Sequence, residues 1–334
     1  MKQKIAIFDV EPWEKDQFKQ AFKNENLVLF HEELNSNNIE KVKDADIVSS
    51  FIDSKFDKRT IDKFIKLKAI ITRSTGYDHI DLKEAKKKRI KVCNVPYYGS
   101  NTVAEHTFAL ILSLSRKIPQ ALKKVKDGDF SCEGLTGFDL KGKTIGIVGL
   151  GNIGIHVARI AKGFEMNVLY TDAKRMPKLE RSLRIKFEKL ENLLSKSDII
   201  TFHVPLIKQT YHMLNKKNLS KVKHGAYIIN TSRGGIIETD ALVEGLKSKQ
   251  IGAVGLDVLE DEELIKDEKV LISKNFNRKQ LHLIFENHVL MDYPNVFITP
   301  HNAFNSVEAL KRILDTSIEN IKGIIKNKPI NVVK

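Results

Sequence analysis

Short apolar runs recur along the chain, and between them the apolar positions spread out to helical spacing. In the first hundred residues the runs 5–8, 27–30, 47–51, 69–73 and 91–94 read as strands. Segments between them carry helix-like spacing, as in Ile61, Phe64 and Ile65. Strand and helix in alternation predict a parallel sheet with helices on both faces. The segment Asn94-Val95-Pro96-Tyr97-Tyr98-Gly99-Ser100 breaks the rhythm as a loop. Asn101 or Thr102 is then placed to cap a long helix reaching about Ile118, with Glu105 in its first turn. A polar, Gly-containing connector over 127–141 leads to a second series of strands, at 144–148, 167–171, 199–203, 226–230, 253–257 and 296–299. The last helix spans about 306–326. Its apolar positions Leu310, Ile313, Leu314, Ile318, Ile321, Ile324 and Ile325 follow a 3.6-residue period. The expected fold class is α/β: two Rossmann-like, doubly wound parallel-sheet domains separated by a cleft, the usual place for a ligand.

The length of 334 residues suits two domains, and 42% hydrophobic with 29% charged residues excludes a disordered chain. Two cysteines, Cys93 and Cys132, cannot build a disulfide framework and do not resemble a zinc cluster. They fit a reducing compartment, so a cytoplasmic protein is expected. No run approaches 18 apolar residues, so no membrane span is expected, and the first residues read as a strand rather than a signal peptide. The net charge is +14, carried by 45 Lys and only 11 Arg. Arg is the better reader of bases and phosphates. The lysines are dispersed, and the densest run, Lys86-Lys87-Lys88-Arg89, ends a predicted helix where cations suit the dipole. A solvated basic face with no nucleic-acid partner is expected; a functional basic patch is the alternative.

Chemistry first shows at 144–172. The strand 144–148 runs into Gly149-Leu150-Gly151-Asn152-Ile153-Gly154, and a helix follows with Val157, Ile160, Ala161 and Phe164 on one face. In this context the first glycine permits a tight turn and the second lets backbone approach a pyrophosphate. The third lets helix and strand pack closely. The helix N-terminus offers free N–H groups to the anion. Eighteen residues past Gly154, the next strand ends in Asp172, placed to accept from both ribose hydroxyls and to repel a 2′-phosphate. NAD is therefore expected over NADP, with Lys174 and Arg175 close enough to soften the preference.

Three further segments stand near predicted strand ends: Asn230-Thr231-Ser232-Arg233-Gly234-Gly235, Gly255-Leu256-Asp257-Val258 with Glu262 behind it, and Thr299-Pro300-His301-Asn302-Ala303-Phe304. With Ser74-Thr75-Gly76-Tyr77-Asp78, Asn94-Val95-Pro96, Val103-Ala104-Glu105-His106 and His203-Val204-Pro205, they make the chain resemble the D-2-hydroxyacid dehydrogenase family over nearly its whole length. Tyr98, Phe51 and Phe304 point to the branch that acts on lactate and 2-hydroxyisocaproate.

The resemblance implies an NAD-dependent enzyme that moves hydride reversibly between NADH and a short 2-oxo acid, with pyruvate to D-lactate as the expected reaction. Enzymes of the 2-hydroxyisocaproate, phenyllactate or hydroxypyruvate type are the near alternatives, and an NAD(H)-sensing corepressor the distant one. It implies a discontinuous substrate-binding domain, residues 1–100 and 300–334, and an NAD-binding Rossmann domain, residues 101–299. The two crossings would form a hinge whose closure excludes water. It also implies a homodimer and no metal. Arg233 would hold the substrate carboxylate through paired charge-assisted hydrogen bonds and polarise the ketone. The amides of Thr75 and Gly76 would give a second clamp. His301 would donate the proton to the developing alkoxide, and Glu262 would fix the ring. Glu260, Asp261 and Glu263 make the register of that acid matter; the 29-residue interval from Arg233 and the five-residue interval from Asp257 select Glu262. Phe51, Tyr98 and Phe304 would line the side-chain pocket. Cofactor contacts carry over to Gly149, Gly151, Asn152, Ile153, Gly154, Asp172, Val204, Pro205, Thr210, Thr231, Ser232, Arg233 and Asp257. His106 and His203 read as structural. The 39-residue interval from Glu262 to His301 exceeds the common pattern, and its insert, 266–293, is expected to add a strand and a helix.

Overall fold

Among the described residues all pairings between the twelve strands are parallel. The computed structural model describes residues 2–265, apart from the side chain of Glu263, and 276–333. The chain divides into two compact units, Met1–Tyr98 with Ser306–Lys334, and Gly99–Asn305.

In the first unit β1 (Lys4–Ile7), β2 (Asn26–Leu29), β3 (Ile47–Ser50), β4 (Ala69–Thr72) and β5 (Lys91–Cys93) lie in the order β2-β1-β3-β4-β5. Alternate residues of each strand enter different cores. Ile5, Ile7, Ile47 and Ile71 pack with Leu314, Ile318 and Ile321 of the helix Val307–Ile325. Ala6, Phe8, Val48 and Ile70 pack with Ile39, Ile61 and Ala85. Burial on both faces is why the runs are apolar without alternation. Ser306 caps the terminal helix, its hydroxyl accepting from Ala309 N at 3.2 Å. That helix returns the end of the sequence to the first sheet. The strand order reverses between β1 and β3, so the crevice beyond their C-terminal ends is a topological switch point.

The second unit holds β6 (Thr144–Val148), β7 (Asn167–Thr171), β8 (Lys186–Phe187), β9 (Ile199–Phe202), β10 (Ala226–Asn230), β11 (Ile251–Leu256) and β12 (Val296–Ile298). Their order is β12-β11-β10-β9-β6-β7-β8, which reverses between β6 and β9.

The expected long helix is present as Ser100–Ser115, and a second helix, Ile118–Lys126, not expected, follows it as a separate element because Lys117 takes a left-handed conformation (φ 52°) and Pro119 opens the next helix. The N-cap of the first is Gly99, without a side-chain cap. The helix near Ile61 ends at Asp62; Phe64 N then bonds Ile61 O in a turn, and Ile65 stays exposed. β8 was not expected: two residues are too few for a pattern. Of the insert 266–293, expected to add a strand and a helix, residues 266–275 lie outside the described residues. The rest forms the helix Arg278–Asp292, opened by a capping box between Asn277 and Gln280. Among the described residues no helix is long and apolar enough to cross a membrane.

Candidate active site

The turn after β6 is built from glycines that do different work. Gly149 has φ +97°, and a Cβ there would meet Val204 Cγ1 at 2.7 Å and His203 O at 2.9 Å. A Cβ on Gly154 would fall 2.1 Å from Gly149 O, so the helix Asn152–Gly163 can leave the strand this tightly only with glycine. Gly151, the N-cap of that helix, has nothing within 4 Å of its Cβ position. Packing thus demands the outer two glycines, while the middle one borders open space beside a helix N-terminus, as a pyrophosphate requires. Asn152 is exposed on the first turn, and Ile153 packs against the core below. Asp172, at the end of β7, accepts from Leu150 N through Oδ2 at 2.8 Å and from Lys174 N through Oδ1 at 3.2 Å. Its carboxylate therefore braces the loop from the position expected to read the ribose. Arg175 is turned to Glu180 by two bonds of 2.8 Å and lies over the Phe187 ring, away from the role of a phosphate fork.

The catalytic candidates leave one edge of the second sheet. Asn230, Leu256 and Ile298 are register partners across β10, β11 and β12. Arg233 follows the first by three residues, Glu262 the second by six and His301 the third by three. The Arg233 turn is set by Asn230, whose Nδ2 donates to Arg233 O at 2.9 Å and whose Oδ1 accepts from Ser232 N and Oγ. A Cβ on Gly234 would lie 2.0 Å from Leu259 O, so the loops after β10 and β11 meet backbone to backbone.

His301 Nδ1 lies 2.7 Å from Glu262 Oε1, both side chains about one-fifth exposed. Glu260 instead engages His212 Nε2 at 2.6 Å and Thr239. His301 holds a left-handed backbone (φ 54°), a conformation that costs a non-glycine residue about 1–2 kcal/mol. Asp257 supports it. Buried almost completely, its carboxylate accepts from Thr299 Oγ1 (2.6 Å), Asn302 N (2.7 Å) and Ala303 N (2.9 Å), and its carbonyl accepts from His301 N (2.9 Å). His106 Nε2 adds a contact to Thr299 Oγ1 at 3.0 Å. Asp257 was expected to touch cofactor; its donors show a carboxylate committed to the His301 loop.

Other expected contacts are also engaged within the protein. Thr210 Oγ1 closes its own turn onto Ile207 and Pro205, Thr231 Oγ1 lies 3.0 Å from Thr107 Oγ1, and Ser232 Oγ donates to Asn230. Val204 packs on the core beside the glycine turn. Burial pushes the His203 imidazole down to about 3, leaving it neutral, with Nε2 2.9 Å from Thr201 Oγ1. Burial pushes the Cys93 thiol up to about 11, no setting for a nucleophile. Asp240, His282 and Glu286 bring possible ligand atoms within 4.8 Å of one another, with Lys216 Nζ already 2.6 Å from Asp240.

Phe304 belongs to the second unit and Phe51, Thr75, Gly76 and Tyr98 to the first. The loop after β4 is held by Thr75 Oγ1 donating to Val95 O (2.9 Å), Asn94 Nδ2 donating to Thr75 O (2.8 Å) and Ser74 Oγ donating to Gly76 O (2.6 Å). These bonds use side chains and carbonyls and leave the Thr75 and Gly76 amides unspent among the described residues. The Tyr98 carbonyl accepts from Arg312 Nε at 2.6 Å. The sequence reading passed over the buried pair Arg73 and Glu14 and the half-buried Asp9 at the same edge. An Arg closing an otherwise apolar strand was the signal for them.

Known proteins match this chain throughout. The family model for D-isomer specific 2-hydroxyacid dehydrogenase, NAD binding domain, matches residues 108–303. A 2-hydroxyacid dehydrogenase homolog of Haemophilus influenzae is 36% identical over 97% of each chain. A glyoxylate reductase of Thermofilum pendens is 37% identical over 87% of this chain and 81% of its own. The crystal structure of the D-lactate dehydrogenase from Aquifex aeolicus, complexed with NAD and lactic acid, superposes with a TM-score of 0.87 at 33% identity, covering 97% of this chain and 96% of that one.

Proposed function

Because this chain belongs to the D-isomer specific 2-hydroxyacid dehydrogenase family, we propose that it interconverts a short 2-oxo acid and its D-2-hydroxy acid, with pyruvate and D-lactate as the preferred pair. It is an NAD-binding oxidoreductase, and the residues after β6 fit the dinucleotide: open space at Gly151, a helix N-terminus beside it and Asp172 at the next strand end. NADH supplies the hydride when bound. The protein does the rest by position and charge. Arg233 grips the carboxylate and draws electron density from the ketone. His301 gives a proton to the alkoxide oxygen, or takes it when the hydroxy acid is oxidised. Glu262 keeps the ring aimed. Thr75 and Gly76 contribute amides to the substrate carboxylate. Phe51, Tyr98 and Phe304 limit the side chain.

The observation that carries this reading is the His301–Glu262 contact on the same sheet edge as Arg233. Pyruvate is favoured by the Aquifex aeolicus likeness. The Thermofilum pendens relative supports a second reading, in which glyoxylate is preferred. NADH oxidation with pyruvate, glyoxylate, 2-oxobutyrate, 2-oxoisocaproate, phenylpyruvate and hydroxypyruvate separates them. Pyruvate should show the highest kcat/KM; a clear preference for another acid replaces it as substrate, and no oxidation with any of them rejects the reaction.

We further propose a homodimer. The helix Ile118–Lys126 exposes Ile118, Leu122 and Val125 on one face, and Phe130 beyond it is 79% exposed. Sedimentation at micromolar concentration should give twice the 38.0 kDa chain mass; a monomer would reject it.

A further inference from the structure

We propose that Asp9 is a positioning residue for substrate selection, its carboxylate fixing the loop that presents Phe51. The inference rests on Phe51 lining the pocket, as proposed above. Asp9 follows β1 by two residues and Phe51 follows β3 directly. These are the strands between which the order of the first sheet reverses, so the Asp9–Phe51 bond spans the switch-point crevice where open α/β sheets take their ligands.

Asp9 Oδ2 accepts from Phe51 N at 2.8 Å and from Ser54 Oγ at 3.2 Å, gripping both ends of the loop 51–54. Ser54 is fully buried, and its hydroxyl accepts in turn from Leu34 N at 2.9 Å. Asp9 is itself held in place. Its backbone is left-handed (φ 55°), and its carbonyl accepts from Arg73 Nη2, which also donates to Phe8 O at 2.8 Å. Arg73 Nη1 reaches both oxygens of Glu14 at 2.7 and 2.8 Å, and Arg73 and Glu14 are almost fully buried. Arg73 immediately precedes Ser74-Thr75-Gly76, so one buried network joins the loop that limits the substrate side chain to the loop that offers amides to its carboxylate. Burial also raises the Asp9 carboxyl from its ordinary value. The donors it holds, the Phe51 N–H and the Ser54 hydroxyl, are neutral, so what the loop needs from Asp9 is an acceptor at the right point.

Two substitutions separate these roles. Asp9→Asn keeps an acceptor and tolerates the left-handed backbone. Asp9→Gly also tolerates it but removes the acceptor. The readout is the ratio of kcat/KM for pyruvate to that for 2-oxoisocaproate, beside the NADH dissociation constant and the melting temperature. Asp9→Asn should hold the ratio within about twofold of wild type. Asp9→Gly should shift it by about fivefold, the equivalent of one lost hydrogen bond, with the NADH dissociation constant unchanged. A folded Asp9→Gly protein with the wild-type ratio overturns the inference, as does Asp9→Asn shifting it equally. Should Asp9→Gly fail to fold, Ser54→Ala replaces it: a shift of about twofold or more supports the inference and an unmoved ratio overturns it. A wild-type protein inactive on every 2-oxo acid refutes the proposed reaction and this inference with it. An active one whose ratio ignores Asp9 refutes the inference alone.

Discussion

The two sheets present their C-terminal edges in different ways. In the second unit backbone meets backbone: added Cβ atoms on Gly149, Gly154 and Gly234 would lie 2.0–2.9 Å from main-chain atoms of neighbouring loops. In the first unit the edge is tied by side chains reaching across the sequence, Asp9 to Phe51 and Ser54, Arg73 to Glu14, Asn94 to Thr75. Both edges use a strand-end carboxylate to hold a loop. Asp257 is buried and takes three donors around His301, whereas Asp9 takes two around a loop with exposed Asp53 at its centre. Close backbone packing suits groups whose placement must not vary during chemistry. A side-chain network suits the proposed pocket wall, because single substitutions can reshape it without moving the backbone of the sheet.

The contrast can be broken by mutation. His301→Ala removes the proposed proton donor and should lower kcat by roughly 10²–10⁴-fold with NADH affinity nearly unchanged; wild-type turnover would remove His301 from the chemistry. Arg233→Gln should lower kcat/KM by about 10²-fold, from a raised KM for pyruvate and a lowered kcat together, since it removes the two charge-assisted bonds proposed for the substrate carboxylate. Unchanged kinetics would reject its role. The glycines should divide. Gly154→Val, driven into Gly149 O, should destabilise by about 2–3 kcal/mol. Gly151→Ala should melt like wild type yet bind NADH about tenfold more weakly, because its new methyl enters the phosphate space. Equal melting temperatures for the two would dissolve the distinction between packing and binding.

The smallest effect concerns pH. His203 is neutral in the fold, its pKa pushed down to about 3 from 6.5 by burial. Between those values the unfolded chain takes up a proton that the folded chain refuses. The stability from this group is complete above pH 6.5 and drains as pH falls towards 3. His203→Gln should therefore flatten the fall in melting temperature over that interval, and an equally steep profile would contradict it.

The same contrast explains what could be read in advance. The glycine turn was legible because its demands are local: strand, three glycines, helix and Asp172 come in order within 29 residues. The strands were legible because burial on both faces makes them apolar throughout. Asp9 belonged to no pattern, since its partners lie 42 and 45 residues away. Asp257 was visible as a residue, but its commitment to the loop 299–303 depends on the pairing of β11 with β12. The break at Lys117 did leave a trace in Pro119, while the two residues of β8, Lys186 and Phe187, set between Arg184 and Glu188, left none.

The central claim is that Glu262 acts through His301 on a 2-oxo acid. The most direct measurement is a double-mutant cycle on pyruvate reduction by NADH, comparing wild type, Glu262→Gln, His301→Ala and the double variant. An active wild type is predicted, with Glu262→Gln impaired and the double variant no slower than His301→Ala alone, because an aiming group has nothing to aim once the imidazole is gone. Losses that multiply in the double variant would contradict the account.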